Sequence, residues 1–160
     1  MDESDESVGV VLYREDGAWQ SGLLPERAAG TLDGLIKVLR QQPAENGAIG
    51  LINVADEFFV AVRVRADDVR VLLSDVTAAV DWDLAQQVVE RLGLDTPADE
   101  DAQEVWPAGD LGIFADLGLD EMELGAVLSD LDAYADEMLA AVAARLGFAE
   151  AYEQALASVL

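Results

Sequence analysis

The chain has 160 residues, of which 33 are acidic and 9 are basic, so its formal net charge is -24. Because it contains no cysteine and no histidine, it has no disulfide, thiolate metal site, cysteine nucleophile or histidine general base. Hydrophobic residues make up 52% of the chain, enough for a folded core, while the acidity disfavours direct binding to nucleic acid phosphates.

Residues 1–7 carry several carboxylates and no apolar anchor, which predicts a flexible acidic tail. No apolar run reaches the roughly 18 residues of a transmembrane helix, and the chain does not start with a basic, then apolar, signal peptide pattern. We therefore expect a cytoplasmic protein that does not contact a membrane.

Residues 8–94 predict an α+β sheet domain. Two strands, 8–14 and 18–24, flank Asp16-Gly17, which is a strong signal for a tight hairpin turn. Thr31 is placed to cap a helix that ends before Pro43. Strands follow at 49–54, 57–65 and 69–73, and then a helix over 76–92 that Ser74 or Asp75 begins and Gly93 ends.

The order of these elements is ββαβββα. Hairpin-length connections favour an antiparallel five-stranded sheet with helices on one face. Two sets of side chains alternate along strand 57–65. One set is Phe58, Val60, Val62 and Val64, and the other is Phe59, Ala61, Arg63 and Arg65. The alternation predicts one buried face and one face partly exposed to solvent.

Residues 95–108 contain two prolines and five carboxylates, which predicts an acidic linker. Residues 109–160 predict a C-terminal module of short helices. Asp120 and Glu123 form a capping box for the first, in which Met122, Leu124, Val127, Leu128 and Leu131 make the buried stripe. A second helix begins at Ala135 and ends at Gly147, and a third follows Phe148.

No segment has the spacing of a catalytic, cofactor or metal site. The acidic pairs lack the oxygen ligands and central glycine of a calcium loop, and no Gly-rich segment is followed by the Lys-Ser or Lys-Thr of a phosphate loop. Arg63, Arg65 and Arg70 form the one local cluster of positive charge. We expect them to pair with this chain's own carboxylates rather than with an anionic partner.

The acidic C-terminal part is the candidate partner-binding surface. From Gly93 onward Arg145 is the only basic residue, so this part is electrostatically suited to a basic protein. The hypothesis assigns the contact to Glu121, Glu123 and Asp130, which are predicted to point to solvent, and to Asp120 at the start of the same helix. Trp106, in the acidic linker, is the candidate aromatic anchor.

Three stretches carry a family resemblance: VRVLLSD at 69–75, AGDLGIFADLGL at 108–119 and AARLGFAEAYE at 143–153. With the order of elements, they resemble the tRNA adenosine deaminase-associated proteins of high-GC bacteria. The resemblance implies a small acidic α+β protein whose gene lies beside that of the deaminase, the enzyme that forms inosine at the tRNA wobble position. It supplies no catalytic motif.

A zinc deaminase needs an H-x-E and a P-C-x-x-C segment, so this chain is not the deaminase itself. The first hypothesis is a non-catalytic accessory or regulatory protein that binds the tRNA adenosine deaminase or another basic protein. The second is an acidic nucleic-acid mimic that occupies a basic protein's site. The third is a homo-oligomeric scaffold, with Phe59, Trp106 and Tyr134 at its contact.

Overall fold

The computed structural model describes residues 7–24, 31–42, 47–65, 68–80, 82–93, 107–129 and 134–157. In these ranges the elements are, in chain order, β1 (Ser7–Glu15), β2 (Ala18–Leu23), α1 (Leu32–Arg40), β3 (Ala48–Val54), β4 (Phe58–Arg65), β5 (Asp68–Leu73), a 3₁₀ helix (Val76–Val80), α2 (Asp83–Arg91), β6 (Ala108–Gly109), a second 3₁₀ helix (Ala115–Leu117), α3 (Glu121–Leu128), α4 (Ala135–Leu146) and α5 (Ala149–Ala157).

The strands form one antiparallel sheet in the order β2-β1-β3-β4-β5-β6. The prediction of an antiparallel α+β fold is confirmed, but five strands was wrong because the sheet has six. The extra strand, β6, pairs Ala108 with Leu73 and Gly109 with Leu72. It comes from the end of the predicted linker, whose residues 95–106 lie outside the described residues.

Local signals placed several turns and caps correctly. The β1–β2 turn has positive φ at both Asp16 and Gly17, which is the backbone that a two-residue type I′ hairpin needs. The hydroxyl of Thr31 accepts a hydrogen bond from the amide of Gly34 and caps α1. Gly147 ends α4 in the left-handed region at φ 87. Each of these depends on residues that are neighbours in sequence.

One face of the sheet is covered by α1, the first 3₁₀ helix and α2. Their buried side chains pack on Phe58, Val60, Val62 and Val64 of β4. The single helix predicted over 76–92 was wrong. A 3₁₀ helix comes first, with the Asp75 carboxylate accepting hydrogen bonds from the amide and hydroxyl of Thr77. Trp82 then adopts an extended backbone at φ -119, and α2 starts afresh at Asp83.

The two helices of the predicted sheet domain lie on one face, as expected, and the other face is covered by the C-terminal helices α3, α4 and α5. Their apolar stripes pack on the second set of β4 residues, including Phe59 and Ala61. The central strands β3 and β4 are therefore buried on both sides, because the chain returns after α2 with three more helices that pack on the second face. The division into a sheet domain, a linker and a helical module stays a prediction, but in space α3–α5 and the sheet share a core.

The burial of the large side chains differs in part from the prediction. Phe59 is fully buried in the core, so the structure contradicts its role in an oligomer contact. Met122 was predicted to be buried but is 85% exposed, because Leu124 and Leu128 are the α3 residues buried against the core. Tyr134 is exposed, as a contact residue must be, and Trp106 lies outside the described residues.

Candidate functional site

A groove of about 430 Å³ lies between α3 and α4, and we call it the α3–α4 groove. It is lined by Glu123, Ala126, Val127, Glu137, Met138, Ala141 and Arg145. Residues three and four apart share a helix flank, so each helix presents one flank to the groove. The lining combines four small or apolar side chains with three charged ones.

One end of the groove is bridged by an ion pair. Arg145 donates from Nη1 to Oε2 of Glu123 over 2.6 Å, joining the end of α4 to the start of α3. Both side chains are about half exposed, and exposed pairs of this kind contribute about 0.5 kcal/mol or less. Loss of this pair would therefore cost little folding stability.

Two exposed apolar side chains lie at the starts of α3 and α4. Met122 lies one helical turn before Ala126 on α3, and Tyr134 lies one turn before Met138 at the start of α4. Met122 is 85% exposed and Tyr134 is 65% exposed. Helical periodicity identifies the buried flank of a helix but not which exposed flank faces a neighbouring helix, so the groove could not be predicted from the sequence pattern.

The predicted acidic contact residues separate in space. The Asp120 carboxylate accepts from the amide of Glu123 over 2.8 Å, so it caps α3. Glu123 lines the groove, whereas Glu121 lies against Gly112 on the opposite flank of α3. Asp130 and Trp106 lie outside the described residues. Of the predicted residues that the structure describes, Glu123 is the one that it brings to the groove.

Two carboxylates accept hydrogen bonds from backbone amides at the start of α4, and one of them, Asp56, belongs to the β3–β4 turn. Asp56 Oδ1 accepts from the amide of Asp136 over 3.1 Å, and Glu137 Oε1 accepts from the amide of Tyr134 over 3.3 Å. Desolvation and the nearby Asp56 charge raise the pKa of Asp136. Burial raises the pKa of Tyr152 to about 12, and the negative charges of Asp136 and Asp56 contribute to this rise. This acidic cluster thus satisfies the free amides at the start of α4.

The arginine cluster is occupied by this chain's own acids, as predicted. All three arginines lie on one sheet face, because Arg63 pairs with Arg70 across β4 and β5. Arg63 is 3% exposed and forms a bidentate pair with Asp116, whose second bond is 2.9 Å, and it also donates to the Ile113 carbonyl. The hydrogen bond from Arg63 is the largest cause of the lowered pKa of Asp116.

The remaining arginines of this cluster have exposed partners. Arg65 lies 3.5 Å from Asp116, and Arg70 contacts Asp68 at 3.0 Å and Asp110 at 3.3 Å. The hydrogen bond and charge of Asp68 are the main causes of the raised pKa of Arg70. With these contacts made, the cluster acts as an internal clamp that holds the 110–117 loop on the sheet.

A small basic depression of about 370 Å³ lies on the opposite face of the molecule. Lys37 and Arg40 of α1 and Arg91 of α2 line it, together with Asp33, Ile36 and Gln41. Each of the three cations is in the last turn of its helix, where a positive charge complements the unpaired carbonyl groups. The helix ends therefore account for this cluster.

Across the described ranges, no group of three or more acidic side chains is placed to hold a metal ion. In the same part of the chain, no helix has both the length and the apolar character that a bilayer crossing requires.

The amino-acid sequence is similar to those of one known protein family. Residues 7–149 match the sequence profile of the Rv3753c-like tRNA adenosine deaminase-associated protein family. The chain is 38% identical over 149 residues to Protein Rv3753c of Mycobacterium tuberculosis (strain ATCC 25618 / H37Rv), an alignment that covers 92% of this chain and 86% of that protein. No solved structure matches the chain. The chain therefore belongs to the Rv3753c-like tRNA adenosine deaminase-associated protein family.

Proposed function

We propose that this protein is a non-catalytic accessory protein that binds the tRNA adenosine deaminase through the α3–α4 groove. The observation that carries the proposal is the groove itself, which combines apolar side chains with Glu123 and Glu137, together with the exposed Met122 and Tyr134 at the starts of the same two helices. Such a surface fits an amphipathic segment of the partner, whose apolar side chains enter the groove while basic ones meet Glu123 and Glu137.

The charge of the molecule supports a basic partner. The helical half that carries the groove has Arg145 as its only basic residue, and Arg145 is already paired with Glu123. A basic surface such as that of a tRNA-binding enzyme is therefore attracted over a long distance, which raises the association rate at low salt.

An accessory role fits the chemistry of the chain better than catalysis. A zinc deaminase activates water on a metal held by histidine and cysteine, and the chain contains neither residue. The family description also names association with the deaminase rather than deamination.

The direct test mixes the purified chain with the tRNA adenosine deaminase of the same organism. Size-exclusion chromatography with light scattering would be run at low and physiological salt, with and without tRNA. We expect a complex that weakens as salt rises and that persists when tRNA is added. Displacement of the chain by tRNA would contradict the accessory role and support nucleic-acid mimicry, and the absence of any complex would contradict both.

A pair of substitutions tests the groove itself. Ala126→Arg places a large cation in the groove, so we expect the affinity for the deaminase to fall about tenfold or more. Ala140→Arg is the matched control, because Ala140 is also an exposed helical alanine but lies on the α4 flank away from the groove. The measurement is titration calorimetry with both variants. Equal losses of affinity in the two variants would remove the groove from the proposal.

A further inference from the structure

A different part of the molecule, the free edge of β2, has hydrogen-bonding groups that no described residue uses. The amide of Leu24 donates to the carbonyl of Gly9 over 2.8 Å, which fixes the phase of the β1–β2 ladder. In an antiparallel pair, alternate residues point their backbone groups toward the neighbouring strand. Gln20 and Gly22 therefore face β1, while Trp19, Ser21 and Leu23 direct their amides and carbonyls outward.

Among the described residues, this edge lacks the features that usually protect sheet edges from pairing with another chain. β2 has the sequence AWQSGL, without a charged residue or a proline, and it pairs one-to-one with β1 without a bulge. The absence of charge is notable in a chain in which 26% of residues are charged. The opposite edge differs, because β6 is only two residues long and Asp110 follows it directly.

We propose that β2 pairs antiparallel with β2 of a second copy of this chain, about a two-fold axis at Ser21. The outward-facing residues are symmetric about that position, so Ser21 meets Ser21 of the second copy and Trp19 meets Leu23 of the second copy. Each of these pairs exchanges both backbone hydrogen bonds, as residues of a hydrogen-bonded pair do. The two sheets then form one continuous sheet, the isologous arrangement that two-fold dimers require.

The side chains at this edge also suit a second copy. Leu23 is 40% exposed, and its position opposite Trp19 of the second copy would cover it with an aromatic ring. The Trp19 ring packs edge-on against the Phe148 ring, with 4.9 Å between the ring centroids, and this contact holds it in place. A charged partner segment would find no counter-charge on this strand, whereas a second uncharged strand needs none.

Charge away from the strand sets the conditions for pairing. The Ser21 hydroxyl donates to the Ala151 carbonyl over 2.7 Å, so α5 starts close to the proposed axis and brings the exposed Glu150 with it. Two copies, each with a net charge of -24, repel one another until salt screens them. Self-association should therefore strengthen with salt, which is the reverse of the behaviour expected for a basic partner in the groove.

Sedimentation equilibrium at low and high ionic strength tests the proposal with two variants. Leu23→Pro removes an outward amide without breaking a bond to β1, and we expect it to abolish dimerisation. Leu23→Ala removes the side chain but keeps the amide, so it should still dimerise. A wild-type chain that stays monomeric at high salt and high micromolar concentration would overturn the proposal, as would a Leu23→Pro chain that dimerises like the wild type.

Amide hydrogen exchange on the wild-type chain tests the same contact without depending on a variant that folds. The amides of Gln20 and Gly22 should be protected at every protein concentration because they bond to β1. Those of Trp19, Ser21 and Leu23 should become protected only as concentration and salt rise. Rapid exchange of these three amides under all conditions would contradict the dimer.

Discussion

At the scale of single residues, the contact between Arg63 and the 110–117 loop buries a charged position of β4. The position of Arg63 alternates with buried valines, and the pattern predicts partial exposure of this face. Instead the guanidinium is covered by the 110–117 loop and neutralised by Asp116. Arginine suits this position because its planar head makes the bidentate pair and still reaches the Ile113 carbonyl at 2.9 Å.

Asp116→Asn should lower the free energy of unfolding by about 2 kcal/mol, because it leaves a buried guanidinium without its counter-charge. Asp110→Asn is the control. It weakens only the exposed contact with Arg70 and keeps the oxygen that accepts from the Gly112 amide, so the loss should be about 0.5 kcal/mol or less. Urea denaturation of both variants measures the free energy of unfolding. Similar losses would show that the Arg63–Asp116 pair stabilises the fold no more than an exposed ion pair does.

The same pair has a defined pH dependence. The pKa of Asp116 lies below its ordinary value of 3.8, so its stabilising effect is complete above that pH and is lost as pH falls through the folded-state pKa. The stability gap between wild type and Asp116→Asn should therefore narrow below about pH 4. Comparing each variant with wild type at the same pH removes the general effect of protonating many other carboxylates. A gap that stays constant down to about pH 2 would refute the assignment.

At the element scale, short connections decide how the layers assemble. β6 consists of two residues, yet it attaches the returning chain to β5 and starts the loop that covers Arg63. Its position requires Gly109, which has φ +114 and lies so close to β5 that an added Cβ would overlap the Val71 carbonyl oxygen. The close approach of two backbones explains why a side chain is not tolerated there.

Gly109→Ala should destabilise the fold by well over about 1 kcal/mol, because it adds a clash with β5 to the strain of positive φ. Gly118→Ala supplies the matched control, since Gly118 has φ +105 but nothing within 4 Å of an added Cβ. Its cost should be the conformational penalty alone, about 1 kcal/mol. Thermal unfolding of the two variants measures the difference, and equal melting temperatures would contradict the close packing of β6 on β5.

At the scale of the whole molecule, charge and layers are arranged unevenly. The sheet separates a layer with Lys37, Arg40 and Arg91 at its helix ends from a layer whose three α-helices hold Arg145 as their only basic residue. The proposed groove lies in the second layer and the proposed dimer edge lies at the β2 end of the sheet. The two surfaces are on different elements, so each can be tested while the other is intact.

Self-repulsion at a net charge of -24 should make the folded chain more stable as ionic strength rises. We expect the melting temperature to increase with added sodium chloride in both wild type and Leu23→Pro, since the variant removes any contribution from dimerisation. Exposed ion pairs such as Arg70 with Asp68 weaken with salt but contribute little. A melting temperature that falls with salt would mean that ion pairs outweigh the repulsion.

The sequence alone determined the local features of this protein. Asp16-Gly17, Thr31, Asp120 and Gly147 act through backbone conformation and hydrogen bonds to residues at most a few positions away, so their effects can be predicted from neighbours. The positions of the first five strands along the chain follow from alternation, and the exclusion of a zinc deaminase site follows from composition.

Only the tertiary structure decided which surfaces these elements bury and expose. The pairing of β6 with β5, the burial of Arg63 and Phe59, and the exposure of Met122 depend on contacts between distant segments. The α3–α4 groove also depends on such contacts, because it is lined by residues of both helices. Local periodicity shows that a side of a helix or strand is apolar, but the partner that covers it is chosen by packing across the whole chain, and no short stretch of sequence records that choice.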